Sequence, residues 1–140
     1  MKSSFELDHI GIAVESLASG RAFYDALGLG EMTTEVVESE KVKVGFFELA
    51  NNARLELLEP TSPDSPIAKH LAKRGPGIHH ICLKVQDIRS VIAALKAKGM
   101  QLINDEPRPG AHGCQVAFIH PKSTGGILVE LSQPPVQKGS

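Results

Sequence analysis

Two stretches of this chain align without a gap. His9-Ile-Gly-Ile-Ala-Val14 through Leu29 falls on His80-Ile-Cys-Leu-Lys-Val85 through Met100 at an offset of 71. Seven of the 21 positions are identical: His9/His80, Ile10/Ile81, Val14/Val85, Ser19/Ser90, Ala22/Ala93, Ala26/Ala97 and Gly28/Gly99. Each copy then closes on a segment that sets one carboxylate between aliphatic residues, Leu55-Glu56-Leu57 and Val129-Glu130-Leu131, now at an offset of 74. A duplicated unit folds twice in the same way, so His9 and His80, and likewise Glu56 and Glu130, become pseudo-symmetric partners.

With 140 residues and 41% hydrophobic content the chain can bury a sizeable core, and its length favours one domain, 1–140, made of two half-domains that would not stand alone. A net charge of −1, five Phe, one Tyr and no Trp argue against a nucleic-acid partner, which needs clustered cations and stacking rings. No apolar run approaches the roughly 18 residues that span a bilayer, and no basic segment precedes an apolar stretch at the N-terminus. The expectation is therefore a cytoplasmic protein without a membrane partner. Cys82 and Cys114 are 32 positions apart with no CxxC pattern, which points to reduced thiols rather than a disulfide or zinc cluster.

The first module spans 5–60. Residues 5–14 alternate as a strand, and Ser16 is placed to cap a helix running to Leu27 that Gly28 and Gly30 end. Strands are expected over 31–38, 41–49 and 53–59, with Asn51-Asn52 as a tight hairpin turn. That is a βαβββ unit. The second module, 77–133, reads likewise: a strand over 77–85, a helix from the Asp87 cap to Lys98, then strands near Gln101, over 114–120 and over 126–132. The linker 61–76 contains Ser65-Pro66, a strong start for a helix to Arg74. Residues 134–140 are expected to be a disordered tail.

On a strand alternate side chains share a face, so His9 goes with Gly11 and Ala13, and His80 with Cys82 and Lys84, while His79 should point the other way. If the modules pair about a pseudo-two-fold and curl into a cup, His9, His80, Glu56 and Glu130 converge on the axis. Two imidazoles with one or two carboxylates suit a divalent ion such as Mn2+, Co2+, Ni2+, Zn2+ or Fe2+. With fewer than six protein ligands, positions stay open for a substrate. Singly, a strand histidine is an ordinary core or rim residue and a lone strand glutamate faces water. It is the repetition of both positions that argues for a metal centre. His70 reads as a solvated helix residue and His120 as a turn residue before Pro121. His112, in the flexible Gly110-Ala-His-Gly113, could cover a substrate or simply face solvent.

These residues in this order resemble the vicinal oxygen chelate superfamily, and within it the branch of the methylmalonyl-CoA epimerases. The resembling segments are Leu7-Asp-His-Ile-Gly-Ile-Ala-Val14, Leu55-Glu-Leu-Leu-Glu-Pro60, Asp64-Ser-Pro-Ile-Ala-Lys69, Gly77-Ile-His-His-Ile-Cys82, Gly110-Ala-His-Gly113, His120-Pro-Lys122 and Gly125-Gly-Ile-Leu-Val-Glu-Leu131. The resemblance implies an α+β fold of two tandem βαβββ modules forming a cup-shaped mixed sheet around a metal site. It places metal ligands on His9, His80 and Glu130, with Glu56 at a fourth position held by Gln in some members. It also implies interconversion of (2R)- and (2S)-methylmalonyl-CoA by removal and return of the C2 proton through a metal-stabilised enolate. Glu130 and Glu56 are then the candidate catalytic carboxylates, the substrate is an acyl-CoA, and a homodimer is expected. Lys122, with Arg108, could meet coenzyme A phosphates.

The chain departs from part of that family. A glutamate that some bacterial members carry on the third strand falls on Val44, in Glu40-Lys-Val-Lys-Val44. Glu48 has the same strand parity but lies roughly 13 Å further along. Either Glu56, a water or another residue supplies the second proton, or the two-base scheme does not transfer to this chain. Other functions on the same fold are a glyoxalase I type isomerase, an extradiol dioxygenase with a 2-His-1-carboxylate iron site, and a ligand-sequestering resistance protein.

Overall fold

The computed structural model describes residues 3–136, so four residues of the expected tail, 137–140, lie outside it, and 134–136 carry no regular structure. The chain divides into two compact units, and the divisions fall within strands: after Asp8 and after His80. Residues 9–80, including both repeated histidines, form the first unit; the segment before His9 goes with the residues from Ile81 onward.

The first copy runs β1 (Glu6–Ala13), α1 (Leu17–Gly20), α2 (Ala22–Leu27), β2 (Thr33–Val37), β3 (Val42–Glu48), β4 (Arg54–Pro60) and α3 (Pro66–Arg74). Its strands lie in the order β2-β3-β4-β1, antiparallel except for the parallel β4–β1 pair. The second runs β5 (Gly77–Lys84), α4 (Ile88–Ala97), β6 (Arg108–Pro109), β7 (Gln115–Ile119) and β8 (Val129–Gln133), in the order β5-β8-β7-β6 with β5–β8 parallel. This is the α+β, twice-repeated βαβββ plan expected from the sequence.

The repeat extends to hydrogen bonds that fix where each helix starts. Ser16 Oγ accepts the Ser19 amide at 3.1 Å, and Asp87 Oδ1 accepts the Ser90 amide at 3.2 Å. The first helical amides are then satisfied by the far end of the closing strand: Leu17 N donates to Glu59 Oε1 at 2.7 Å, and Ile88 N to Gln133 Oε1 at 2.8 Å. These four residues keep the offsets of the duplication, 71 for the amides and 74 for the acceptors. Side-chain acceptors at this position fill the vacancies that every helix N-terminus leaves.

Two expected elements differ. The helix expected to reach Leu27 comes in two pieces meeting at Arg21, where φ is −78° and ψ is −13°. Gly20 lies against Val14, whose Cγ1 would be 2.7 Å from a Cβ there. Close packing fixes a residue that costs helix propensity just before the break. The strand near Gln101 reduces to one bridge, Leu102 with Ile119, and the pairing on β7 passes to the two-residue β6. Pro107 and Pro109 carry no amide hydrogen, so this segment cannot sustain a ladder.

In the first unit the sheet has an apolar layer on each side. Val14, Leu17, Phe47 and Leu57 gather under α1 and α2 with Tyr24. On the opposite face Ala13, Val44, Phe46 and Leu58 meet Ile67 and Leu71 of α3. In the other unit Ile88 and Ile92 of α4 pack on Ala117, Ile119 and Leu131. The α3 start is built as Ser65-Pro66 implies: the fully buried Ser65 accepts the Ile67 amide at 3.1 Å. Ser65→Ala is expected to lower stability by about 1 kcal/mol in denaturant titration, the usual cost of a lost cap.

Candidate metal centre

The α3 side of the first unit's sheet changes character along its length. Strand register puts Ala13 beside Leu58, then Gly11 beside Glu56, then His9 beside Arg54. Glu56 in turn faces Phe46 of β3. The same alternation that aims Ala13 and Leu58 into the apolar cluster therefore aims His9, Glu56 and Arg54 to one side of it.

Gly11 leaves a gap on that face, and the His80 ring fills it. A Cβ on Gly11 would stand 2.3 Å from His80 Cε1, inside any permitted contact. The two imidazoles meet edge to face at 85°, with their Nε2 atoms 3.0 Å apart. Both residues are buried, at 6% and 5% exposure. Two nitrogens bound at about 2.1 Å to one ion, at right angles, stand about 3.0 Å apart. This donor pair fits a shared divalent ion.

The outer nitrogens also have partners. Glu56, 3% exposed, sets Oε2 3.4 Å from His9 Nδ1, and the same oxygen accepts from Arg54 Nε at 3.0 Å. The Arg54 guanidinium carbon lies 5.9 Å from the centre of the Phe46 ring, so the arginine is held by both a carboxylate and an aromatic face. His80 Nδ1 is 2.9 Å from His79 Nδ1, and the His79 ring packs edge-on to His70 of α3 at 5.0 Å. Burial, with the nearby Arg74 charge, holds His70 below the usual histidine range. His79 thus meets His80 instead of turning away, and His70 is half-buried rather than a solvated helix residue.

Glu130 is buried at 8% exposure in the other unit, on the face of its sheet opposite α4. Its neighbours across the sheet are Cys82 and Phe118, as those of Glu56 are Gly11 and Phe46. The two carboxylates are therefore equivalent in register as well as in sequence. The structure does not bring His112 and Lys122 together. His112 occupies a short turn before β7 with a left-handed backbone, φ 60° and ψ 25°, whereas Lys122 is exposed on a turn after it. Five residues of strand separate the two turns, roughly 16 Å. Both cysteines are free thiols. No helix among the described residues is long and apolar enough to cross a membrane.

Sequence reasoning passed over Arg54 and misjudged His79. The signal for Arg54 was its place two residues before Glu56, which puts both on one strand face. Seeing that it also stands beside His9 needs the β1–β4 register, which the sequence does not display. Val44 lies inside the apolar cluster at 2% exposure, so no acid stands at that point of β3.

The sequence matches the model of the Glyoxalase/Bleomycin resistance protein/Dioxygenase superfamily over residues 8–118. Among characterised sequences it is 43% identical to human mitochondrial methylmalonyl-CoA epimerase, over 91% of this chain and 73% of the human protein. It is 42% identical to the ethylmalonyl-CoA/methylmalonyl-CoA epimerase of Cereibacter sphaeroides, over 91% of this chain and 96% of that one. Among solved structures, a methylmalonyl-CoA epimerase in complex with methylmalonyl-CoA and NH4+ superposes with a TM-score of 0.87 at 37% identity, over 96% of this chain and 97% of the other.

Proposed function

The chain belongs to the glyoxalase/bleomycin resistance protein/dioxygenase superfamily and, within it, to the methylmalonyl-CoA epimerase family, and on that premise we propose that it interconverts the two C2 epimers of methylmalonyl-CoA. The observation that carries the substrate is the likeness to named epimerases over nearly the whole chain, because the fold alone serves many chemistries. The spacing of His9 and His80 supports a metal-dependent route.

In this reading His9, His80 and Glu130 would hold a divalent ion, Co2+ or Mn2+ in first place. Such an ion would supply Lewis-acid stabilisation of the negative charge that develops on the thioester oxygen as the C2 proton leaves. His9 and His80 would hold the ion through their Nε2 atoms, which stand 3.0 Å apart. Glu130, the buried carboxylate with matching register, takes up the proton, a contribution of about 10² to 10⁴ in rate. Val44 cannot return a proton to the opposite face, since it is aliphatic and packed among Ala13, Leu58 and Ile67, so the proton would be returned by Glu56, a water or another residue. His112 and Lys122 would meet separate parts of an extended acyl-CoA, and the enzyme is expected to act as a homodimer.

The test is proton NMR of methylmalonyl-CoA in D2O with the Co(II)-loaded protein. Metal-dependent loss of the C2 proton signal, abolished by a chelator and restored by adding Co(II), is expected. No exchange above the chelated control with the metal bound would overturn the epimerase reading and direct attention to glyoxalase and catechol dioxygenase assays.

A further inference from the structure

Beside Glu130, strand register builds a row of four residues across the same sheet: Lys84 next to Ser132, Ser132 next to Val116, and Val116 next to Arg108. The row shares the face of Glu130, because alternation turns Leu83, Ala117 and Leu131 the other way, onto α4. Its counterpart in the first unit is Ala13, Leu58, Val44 and Glu35. There the first three residues lie in the apolar layer with Ile67 and Leu71 of α3. Three of the four positions therefore differ in character between the copies: Ala13 answers to Lys84, Leu58 to Ser132 and the acid Glu35 to the base Arg108, while valine is kept. We infer that Lys84 and Arg108 are specificity-determining residues that receive anionic oxygens of the substrate, which makes this row the one that meets the charged groups of an acyl-CoA.

Three observations support this role. First, the row is not filled as its counterpart is. No helix follows β8 among the described residues to take the place of α3. Only the backbone at Gly110 closes over its middle, where an added Cβ would lie 2.6 Å from Val116 Cγ1. Ser132 and Val116 are buried, whereas Lys84 and Arg108 stay half-buried at the two ends, about 14 Å apart at the usual strand spacing. Second, Lys84 has no ion-pair partner among the described residues. A cleft of about 200 Å3 opens beside it, lined also by Ser4, Glu6, Gln86 and Gln133. A cation kept half out of water with no carboxylate against it is suited to pair with an arriving anion. Third, the change from Glu35 to Arg108 reverses the charge at one register position. Arginine presents a planar fork of donors that matches a carboxylate or a phosphate with two parallel hydrogen bonds. On the epimerase reading, on which this role rests, the substrate offers both kinds of oxyanion: the malonyl carboxylate and the coenzyme A phosphates.

The test reads binding rather than turnover. Affinities are measured by titration calorimetry, with Co(II) in the buffer, for malonyl-CoA, for propionyl-CoA, which lacks the carboxylate, and for malonyl-pantetheine, which lacks the coenzyme A phosphates. Two double variants are compared with the parent. Lys84→Ala with Arg108→Glu copies the residues of the first unit, and Lys84→Arg with Arg108→Lys keeps both charges. The first is expected to bind malonyl-CoA about 10- to 100-fold more weakly, the range for hydrogen bonds to charged groups, and to lose much of the dependence of affinity on NaCl. The second should stay within a few-fold of the parent. If circular dichroism shows the first variant unfolded, Lys84→Gln with Arg108→Gln takes its place. A loss seen with propionyl-CoA and not with malonyl-pantetheine assigns the pair to phosphate, the converse assigns it to the carboxylate, and a loss with both assigns one cation to each; all three support the proposal. Unchanged affinity for every ligand would overturn it, and so would an equal loss in the variant that keeps both charges. Weakened binding in the variant with no C2 exchange in the parent would strike only the epimerase reading. C2 exchange in the parent with unchanged affinity in the variant would strike only this inference, and a parent that binds none of the three ligands would overturn both.

Discussion

Glu130→Gln is expected to lose about 10² to 10⁴ of the C2 exchange rate while folding normally. The substitution preserves shape and places an amide where a buried carboxylate stood, opposite Cys82 and Phe118. An amide oxygen can still approach a metal, but it cannot accept the substrate proton at neutral pH. The variant should therefore separate two roles: Co(II) binding weakened yet measurable, and proton exchange nearly gone. Exchange within a few-fold of the parent, at saturating Co(II), would show that Glu130 is not the base. A matching circular dichroism spectrum and melting temperature are needed to attribute any loss to chemistry.

Gly11→Ala tests the histidine pair with the smallest change available. The backbone at Gly11 asks nothing special of glycine, so the effect comes from space alone, and the added methyl would lie 2.3 Å from His80 Cε1. Relief requires the ring to move by about 1 Å, and a misplacement of that size at a reacting centre costs about 10²-fold. Overpacking should cost a further 1 to 3 kcal/mol of stability, roughly. The expected result is a large drop in Co(II) affinity and exchange with a folded protein. Gly45→Ala is the control. Its methyl would meet the flexible Met32 side chain at 2.6 Å and Leu17 at 3.2 Å, so it should lower melting temperature without altering the metal titration. If Gly11→Ala binds Co(II) like the parent, His80 does not occupy its observed position when the ion is held.

The parts of the structure legible in the sequence were those governed by local chemistry and by repetition. Ser16, Ser65 and Asp87 cap as their residue types suggest, Gly28 ends its helix at φ 84°, and Asn52 takes the hairpin turn at φ 69°. His9, Glu56, His80 and Glu130, singled out in the sequence because each pair is one position used twice, are all buried. Other features depended on register and side-chain direction, to which hydrophobic periodicity is blind. Nothing in the sequence says that Glu56 approaches His9 through Nδ1, or that Arg54 stands between β1 and β3 to hold it. His79 misled because strand parity describes where a Cβ points and not where a long ring swings afterwards. The strand near Gln101 misled because two prolines a few residues later outweighed its apolar pattern.

The side chains of Glu59 and Gln133, which receive the first amides of α1 and α4, sit three positions beyond Glu56 and Glu130. A strand that slipped by one residue would turn the carboxylate to the opposite face and release the helix start in the same movement. Correct seating of the chemistry is thereby proofread by the scaffold, since a mis-threaded strand forfeits an anchor as well as a function. In a mutational screen, residues 59 and 133 should behave as inactivating positions despite lying on the strand face opposite Glu56 and Glu130.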